Sequence, residues 1–259
     1  MILTLDVGNT NIKTAVFEGE EMRAYWRIST NRNMSSDEYG ILMSNLFGYN
    51  NLNMRDIEGV IMSSVVPPIN FTIEHMCRNY FDMDPMVVGP GIKTGINIKY
   101  EHPRELGSDR IANAVAAYEI HGGPCIFIDF GTATSFGVLS KKGEFLGGAI
   151  CPGLKVSAEA LFEKTSKLPR FELIKPERAI GRTTVANMQS GIIFGYAGQI
   201  NYLIAKMKEE LGAKNAKVIA TGGLAVLISE ETDVIDVLDG LLTLKGLRLI
   251  YEKNAEATV

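Results

Sequence analysis

The sequence predicts a duplicated α/β fold of two related lobes. Three observations carry that prediction: an internal repeat, strand-like and helix-like segments that alternate after each copy, and the composition of an ordinary globular protein. The repeat shows when Asp129 is laid over Asp6. The first copy reads LTLDVGNTNIKTAVFEGEEM and the second IFIDFGTATSFGVLSKKGEFL. Each begins with a short apolar strand ending in Asp, with Gly two residues on. A small polar cluster follows, Asn9-Thr10-Asn11 in one copy and Thr132-Ala133-Thr134 in the other. A second apolar strand comes next, Ala15-Val16-Phe17 or Gly137-Val138-Leu139. A turn at Glu18-Gly19-Glu20 or Lys142-Gly143-Glu144 then leads to a third strand. A period this long implies two related domains rather than a solenoid of short repeats.

Between and after the meanders, helices and strands alternate. In the first half, Asp37 to Phe47 reads as a helix, Gly59 to Ser64 as a buried strand and Asn70 to Tyr80 as a helix. Asp109 to Ile120 has apolar residues at 111, 115 and 118, which is helical spacing. In the second half, Pro152 to Phe162 and Val185 to Leu211 read as helices, Val218 to Ala220 as a strand, and Asp239 to Tyr251 as a final helix. Helices packed on mixed sheets give an α/β class. The turn signal His121-Gly122-Gly123-Pro124 sets the expected boundary, with one lobe over 1–121 and the other over 122–259.

Hydrophobic residues make up 46% of the 259 and charged residues 22%, enough apolar material for two small cores. The formal net charge of −4, with no basic stripe, argues against nucleic acid as a partner. Local amides and a few cations can still bind a small anion. Cys77, Cys125 and Cys151 are scattered and form no C-x-x-C pair, so neither a disulfide framework nor a zinc knuckle is expected. Cys125, in an apolar run, reads as a buried thiol. The N-terminus has no basic n-region and reaches an aspartate at Asp6, so no signal peptide is expected. No apolar run approaches the roughly 20 residues needed to span a bilayer. The expectation is a cytoplasmic protein without a membrane partner.

The two Asp-x-Gly turns carry the chemistry. A tight turn between strands exposes N–H groups that can cradle phosphate oxygens. Carboxylates repel phosphate directly, but they can bind it through a hydrated divalent cation, because Mg²⁺ keeps water and takes one or two carboxylates. Two such turns facing each other across a cleft would hold ATP between two lobes. Either copy alone reads equally well as a plain hairpin with common turn residues. The matching register of the two copies favours the ligand site.

Asp6-Val7-Gly8-Asn9-Thr10-Asn11 resembles the first phosphate motif of the acetate and sugar kinase/Hsp70/actin superfamily, and Ile128-Asp129-Phe130-Gly131-Thr132-Ala133-Thr134 the second. Thr221-Gly222-Gly223-Leu224-Ala225 resembles its adenosine motif. Gly107-Ser108-Asp109-Arg110, followed by a helix, resembles the Gly-x-Asp-Arg motif of type III pantothenate kinases, as does Gly147-Gly148-Ala149-Ile150-Cys151-Pro152-Gly153. The resemblance implies a duplicated ribonuclease H-like, actin-like ATPase fold with two lobes around a nucleotide cleft. It implies transfer of the ATP γ-phosphoryl group to the primary hydroxyl of pantothenate, the first step towards coenzyme A. It also implies a monovalent cation (K⁺ or NH₄⁺) and a homodimer with composite active sites. A kinase of another small hydroxyl or carboxylate metabolite is the alternative enzyme. A non-catalytic actin-like switch is the alternative of another class, though the chain lacks room for large inserted subdomains and a switch has no need of a hydroxyl base.

Under this reading Asp6 holds Mg²⁺ through water, and the segment Asp6, Val7, Gly8, Asn9, Thr10, Asn11, Ile12 and Lys13 meets ATP. Gly8 to Asn11 offer N–H groups to the β- and γ-phosphates. Lys13 is either a point charge on the γ-phosphate or a solvated strand residue. Asp109 is the expected base. Phosphoryl transfer has a loose transition state, so an aspartate need only orient the hydroxyl and take its proton late. Ser108-Asp109 also suits a helix N-cap. Arg110 offers a forked donor and is assigned with Gly107 and Ser108 to substrate binding. Asp129, by resemblance, binds the monovalent cation. Thr132 meets ATP, and Gly222 and Gly223 let adenosine approach, although Gly223 equally suits a plain turn. Tyr100 is expected to line the pantothenate pocket. Thr184 matches a contact given across the dimer, or forms with Thr183 an N-cap pair.

His75, His102 and His121 form no spaced pair, which argues against a histidine metal site. The 11 Met read as core filling. Lys164 to Arg178, charged and punctuated by proline, reads as a surface excursion. The long helix carries Ile192, Ile193, Phe194, Tyr196, Ile200, Leu203 and Ile204, more than one narrow apolar stripe. Either a partner subunit or the helix's own domain can cover the excess, and Gly191, Gly195 and Gly198 permit close approach.

Overall fold

The computed structural model describes residues 1–255. The chain divides into two compact units. The first contains Met1–Gly95, His102–Ala116 and the C-terminal segment from Leu242; the second contains Ile96–Glu101 and Ala117–Leu241.

In the first unit, β1 (Ile2–Val7), β2 (Asn11–Glu18) and β3 (Glu21–Ser29) form an antiparallel meander, and β4 (Gly59–Ser64) and β5 (Met86–Val87) extend it in parallel. The order is β3-β2-β1-β4-β5. Central β1 is buried along nearly its whole length, which its run Ile2-Leu3-Thr4-Leu5 permits. Side chains alternate across a strand. Leu3, Leu5 and Val7 therefore join Val60 and Met62 on one face, against α1 (Ser36–Tyr49) and α2 (Pro67–Phe81). Phe47 sits 5.3 Å from the Trp26 ring and 5.6 Å from that of Phe81. Emptying it to Ala costs about 3–5 kcal/mol. The expected helix start at Asp37 is fixed one residue earlier by a capping box between Ser35 and Glu38. Helix α2 begins at Pro67 rather than at the expected Asn70, because proline in the first turn has no N–H to leave unpaired.

The opposite face of this sheet receives α7 (Leu242–Ala255). Arg248 lies over the Phe17 ring at 5.9 Å. Thr243 Oγ1 donates to Asn113 Oδ1 at 2.8 Å, joining α7 to α3 (Ser108–His121). The helices cross at Gly246, where an added Cβ would lie 1.9 Å from the Ala112 carbonyl oxygen.

The second unit repeats the plan. Its meander is β7 (Cys125–Phe130), β8 (Ala133–Leu139) and β9 (Glu144–Gly147), with β10 (Ile150–Pro152) also on β8. Strands β11 (Lys217–Thr221) and β12 (Val237–Leu238) extend it in parallel on the other side, and β6 (Asn97–Ile98) adds an outer strand beside β9. The order β9-β8-β7-β11-β12 thus matches that of the first unit. Ile126, Ile128, Phe136 and Val218 pack against α5 (Thr184–Glu210) and α6 (Ala225–Ser229). Helix α4 (Leu154–Glu163) starts two residues later than expected, because 150–152 pair with β8.

A single cut after His121 follows the sequence duplication, but the compact units depart from it. Helix α3 starts in the first unit and its residues from Ala117 belong to the second, and α7 completes the first unit instead of the second. Among the described residues, no helix is long and apolar enough to cross a membrane.

Candidate active site

In the first unit, the turn between β1 and β2 is built around Gly8. Its N–H donates to the Asn11 carbonyl at 3.1 Å, and an added Cβ would lie 3.0 Å from that oxygen. Three carbonyls of the turn are taken. Thr30 Oγ1 donates to Gly8 at 2.6 Å, Thr30 N–H to Thr10 at 3.0 Å, and Val65 N–H to Val7 at 3.1 Å. Engaging carbonyl oxygens reduces the negative potential an arriving phosphate meets and holds the loop in one shape. Thr30 lies just beyond β3, and its role left no mark in the motif.

Asp6 is the penultimate residue of β1 and is only 7% exposed. Ser63, its partner in parallel β4, donates its hydroxyl to Asp6 Oδ1 at 3.0 Å. Lys13, its partner in antiparallel β2, places Nζ 3.6 Å from Asp6 Oδ2.

Strand β4 also reaches the Gly-x-Asp-Arg loop. The Ser108 hydroxyl accepts from Ser64 N–H at 3.0 Å and donates to Ser64 C=O at 3.1 Å. Ser108 and Asp109 lie inside the first turn of α3, since Ile111 N–H bonds to the Gly107 carbonyl. The expected Ser108 cap is therefore not formed. Its hydroxyl is instead engaged with the Ser64 main chain. Asp109 Oδ1 accepts from Arg110 N–H at 2.8 Å. An added Cβ on Gly107 would come 2.5 Å from that oxygen, so the glycine keeps room for the carboxylate. Arg110 is buried. Asp6, Lys13 and the Gly107–Arg110 loop are thus joined through β4.

In the second unit, Asp129 pairs with Ser135 on β8 and Thr221 on β11. Gly222 has φ 96°, and an added Cβ would meet Phe130 N and O at 2.6 Å and Asp129 Oδ1 at 2.7 Å. Glycine is required there by conformation and by the close approach to Asp129. Gly223 carries no such constraint. The Gly131–Ala133 turn repeats the first unit's tethering. Gly131 N–H donates to Ala133, and Gly153 N–H donates to the Thr132 carbonyl at 3.1 Å. Among the described residues, Thr134 and Thr221 each bury a hydroxyl oxygen that lacks a hydrogen-bond partner.

Tyr100 falls in the second unit, its ring 6.3 Å from Phe145, whereas Gly107–Arg110 fall in the first. Thr184 is the exposed first residue of α5, and Thr183 takes the cap by accepting from Ala186 N–H at 3.1 Å. Of the apolar residues singled out on α5, Ile193, Tyr196, Ile200 and Ile204 are buried within the unit, and Ile192, Phe194 and Leu203 are half-buried. Its open face carries Gly191, Gly195 and Gly198, where among the described residues an added Cβ would meet nothing within 4 Å beyond its own helix backbone and chain neighbours, and Tyr202, 65% exposed.

Among solved structures, the fold is similar to a putative Baf family transcriptional activator from Campylobacter jejuni, at 19% identity and TM-score 0.63, covering 98% of this chain and 99% of that one. It is also similar to the ROK hexokinase of Thermus thermophilus, at 12% identity and TM-score 0.55, covering 98% and 99%. A third similar structure is component A of the Acidaminococcus fermentans (R)-2-hydroxyglutaryl-CoA dehydratase, at 13% identity and TM-score 0.57, covering 98% of both chains. These likenesses establish the actin-like fold. The family model for type III pantothenate kinase matches residues 2–206, from the first strand into α5. Both Asp-x-Gly turns and the Gly-x-Asp-Arg loop lie inside that match, and the chain belongs to the type III pantothenate kinase family, which phosphorylates pantothenate with ATP and a divalent metal at the first step of coenzyme A biosynthesis.

Proposed function

We propose that the first unit carries the phosphoryl-transfer chemistry, with Asp109 as base and Asp6 as the metal carboxylate. The observation behind this reading is the joining of both aspartates to β4, through Ser63 and through Ser64 with Ser108. Asp109 orients the primary hydroxyl of pantothenate. As the new O–P bond forms and the bond from the γ-phosphorus to the β–γ bridging oxygen breaks, Asp109 takes the hydroxyl proton and ADP leaves. A late proton transfer suits a loose transition state.

The donor set at Asp6 fits Mg²⁺. It offers one buried carboxylate held by a neutral hydroxyl donor, and Mg²⁺ in kinase sites takes one or two carboxylates besides substrate phosphate and water. The ion, when bound, neutralises charge on the phosphate oxygens. The segment Val7 to Ile12 is assigned to ATP, with the N–H groups of Asn9 to Asn11 towards the β- and γ-phosphates because the Gly8 N–H is taken by the Asn11 carbonyl, and Lys13 adds a positive charge beside Asp6. Gly107, Arg110, Tyr100 and Thr184 are assigned to pantothenate.

In the second unit, Asp129 is assigned to a K⁺ or NH₄⁺ ion, and Thr132, Gly222 and Gly223 to ATP. The half-buried carboxylate of Asp129 at the strand end, with Thr221 beside it, supplies the oxygen donors that hard cations prefer. The open glycine face of α5 supports a homodimer in which Thr184 serves the partner's site. ATP consumption measured with and without pantothenate tests the whole reading. Turnover must depend on pantothenate; equal consumption without it would favour a nucleotide switch.

A further inference from the structure

The geometry points to Ser63 and Ser108 as positioning residues that set the two acidic groups of the first unit relative to one another. This inference rests on the roles given above to Asp6 and Asp109.

Ser63 and Ser64 are consecutive at the end of β4, so their side chains point to opposite faces of the sheet. Ser63 is fully buried on the Asp6 side and donates to one carboxylate oxygen at 3.0 Å. That bond fixes the rotation of the carboxylate about its own stem. Ser64 acts through its main chain. The strand ends here, and both its N–H and its C=O are met by one hydroxyl, that of Ser108, at 3.0 and 3.1 Å. A hydroxyl can donate once and accept, so this pair uses both of its capacities on a single residue. Ser108 is the first residue of α3 and Asp109 the second.

The result is a continuous strut. Its hydrogen bonds join Asp6 to Ser63 and Ser64 to Ser108, and covalent bonds join Ser63 to Ser64 and Ser108 to Asp109. Strand β4 is locked in register with β1 from Ile2↔Gly59 to Val7↔Ser64, so the strut cannot slide. Neither serine needs to touch ATP or pantothenate. Their work is to keep the base carboxylate at a fixed distance from the metal carboxylate, and misplacement by about 1 Å can cost on the order of 100-fold in rate.

The two serines act on different ends of the strut, and this makes the inference testable with purified enzyme. Ser63→Ala should raise the Mg²⁺ concentration for half-maximal activity by about 10-fold or more, as loss of partners to metal ligands does. Ser108→Ala should leave that midpoint and the KM for ATP near wild type and lower kcat by about 10- to 100-fold. Ser108→Thr, which keeps the hydroxyl, should recover most of the loss. Circular dichroism and the melting temperature report whether each variant folds, and nucleotide binding by the folded fraction normalises the rates. Asp6→Ala and Asp109→Asn run alongside. If these two retain activity, the underlying site assignment fails. If they are inactive while both serine variants show wild-type kcat and Mg²⁺ midpoint, the positioning role alone is overturned. A loss of active fraction in both serine variants, with unchanged Mg²⁺ midpoint and unchanged kcat per folded enzyme, also overturns it.

Discussion

Thr30 and Gly8 are separated by 22 residues of sequence and joined by a 2.6 Å hydrogen bond, from the threonine hydroxyl to the glycine carbonyl. The bond closes the turn between β1 and β2, assigned above to the ATP phosphates, from outside the motif. Thr30→Val removes the hydroxyl at nearly constant volume. The KM for ATP should rise by up to about 10-fold, the equivalent of one net hydrogen bond, while the KM for pantothenate stays put. Steady-state kinetics with each substrate varied in turn decides it, and an unchanged KM for ATP would remove Thr30 from the turn's function.

Asp109→Asn should lower kcat by about 100- to 10,000-fold, the usual range for a lost general base. The fold should survive, because asparagine keeps an oxygen to accept from Arg110 N–H. Rates near wild type in a variant with native circular dichroism would end the base assignment.

The two strand-end aspartates should separate by cation. Asp6→Ala should lose activity with a raised Mg²⁺ requirement, and Asp129→Ala with a raised K⁺ or NH₄⁺ requirement. Crossed titrations of both ions against both variants give the answer. Two variants with unaltered requirements and rates would refute the paired roles.

A shared site at a homodimer predicts complementation. Asp109→Asn and Thr184→Ala, each impaired alone, should regain activity when mixed under subunit exchange, because one heterodimer site is intact. Leucine at Gly195, on the open face of α5, should weaken the dimer. Sedimentation showing a fully active monomer would exclude this arrangement.

Burial pushes the Cys77 and Cys125 thiols up to about 12 from 9.0. Raised values favour the protonated form in the folded chain. Their contribution is therefore complete below pH 9 and is lost as pH rises towards 12, at about 1.4 kcal/mol per pH unit for each thiol. Denaturant melts from pH 8 to pH 11 should show falling stability, less steeply in Cys77→Ala and Cys125→Ala. In the native enzyme at pH 8, iodoacetamide should modify neither cysteine.

The strand-Asp-x-Gly pattern at Asp6 and Asp129 was legible because local chain chemistry writes it: an apolar run, an acid and a turn glycine. Ser63 was hidden because a serine in a buried strand has no signature, and its partner Asp6 lies 57 residues away. Thr30 was hidden for the same reason. The Ser108-Asp109 cap was one of two readings left open, because a serine at a helix start has two outlets for its hydroxyl and only the neighbouring strand, through Ser64, decides between them. The apolar girth of α5 was read correctly as needing cover. Its glycines, however, mark the open face, since packing and exposure of a long helix depend on what folds around it.

Helix α7 has a consequence for the order in which the chain matures. It is synthesised last among the described elements, yet it packs on β1, β2 and β4 of the sheet built from the first strands, and it is tied to α3 and to the residue before β4 by Thr243 to Asn113 and Tyr251 to Glu58, spanning 130 and 193 residues. During translation that sheet face, with Phe17 on it, stays wet until Leu242–Ala255 has left the ribosome. Nearly all of the second unit, up to Leu241, emerges before then. The half of the enzyme that is begun first is finished last, and a nascent chain stalled near residue 240 would expose an uncovered β-sheet to the cell's chaperones.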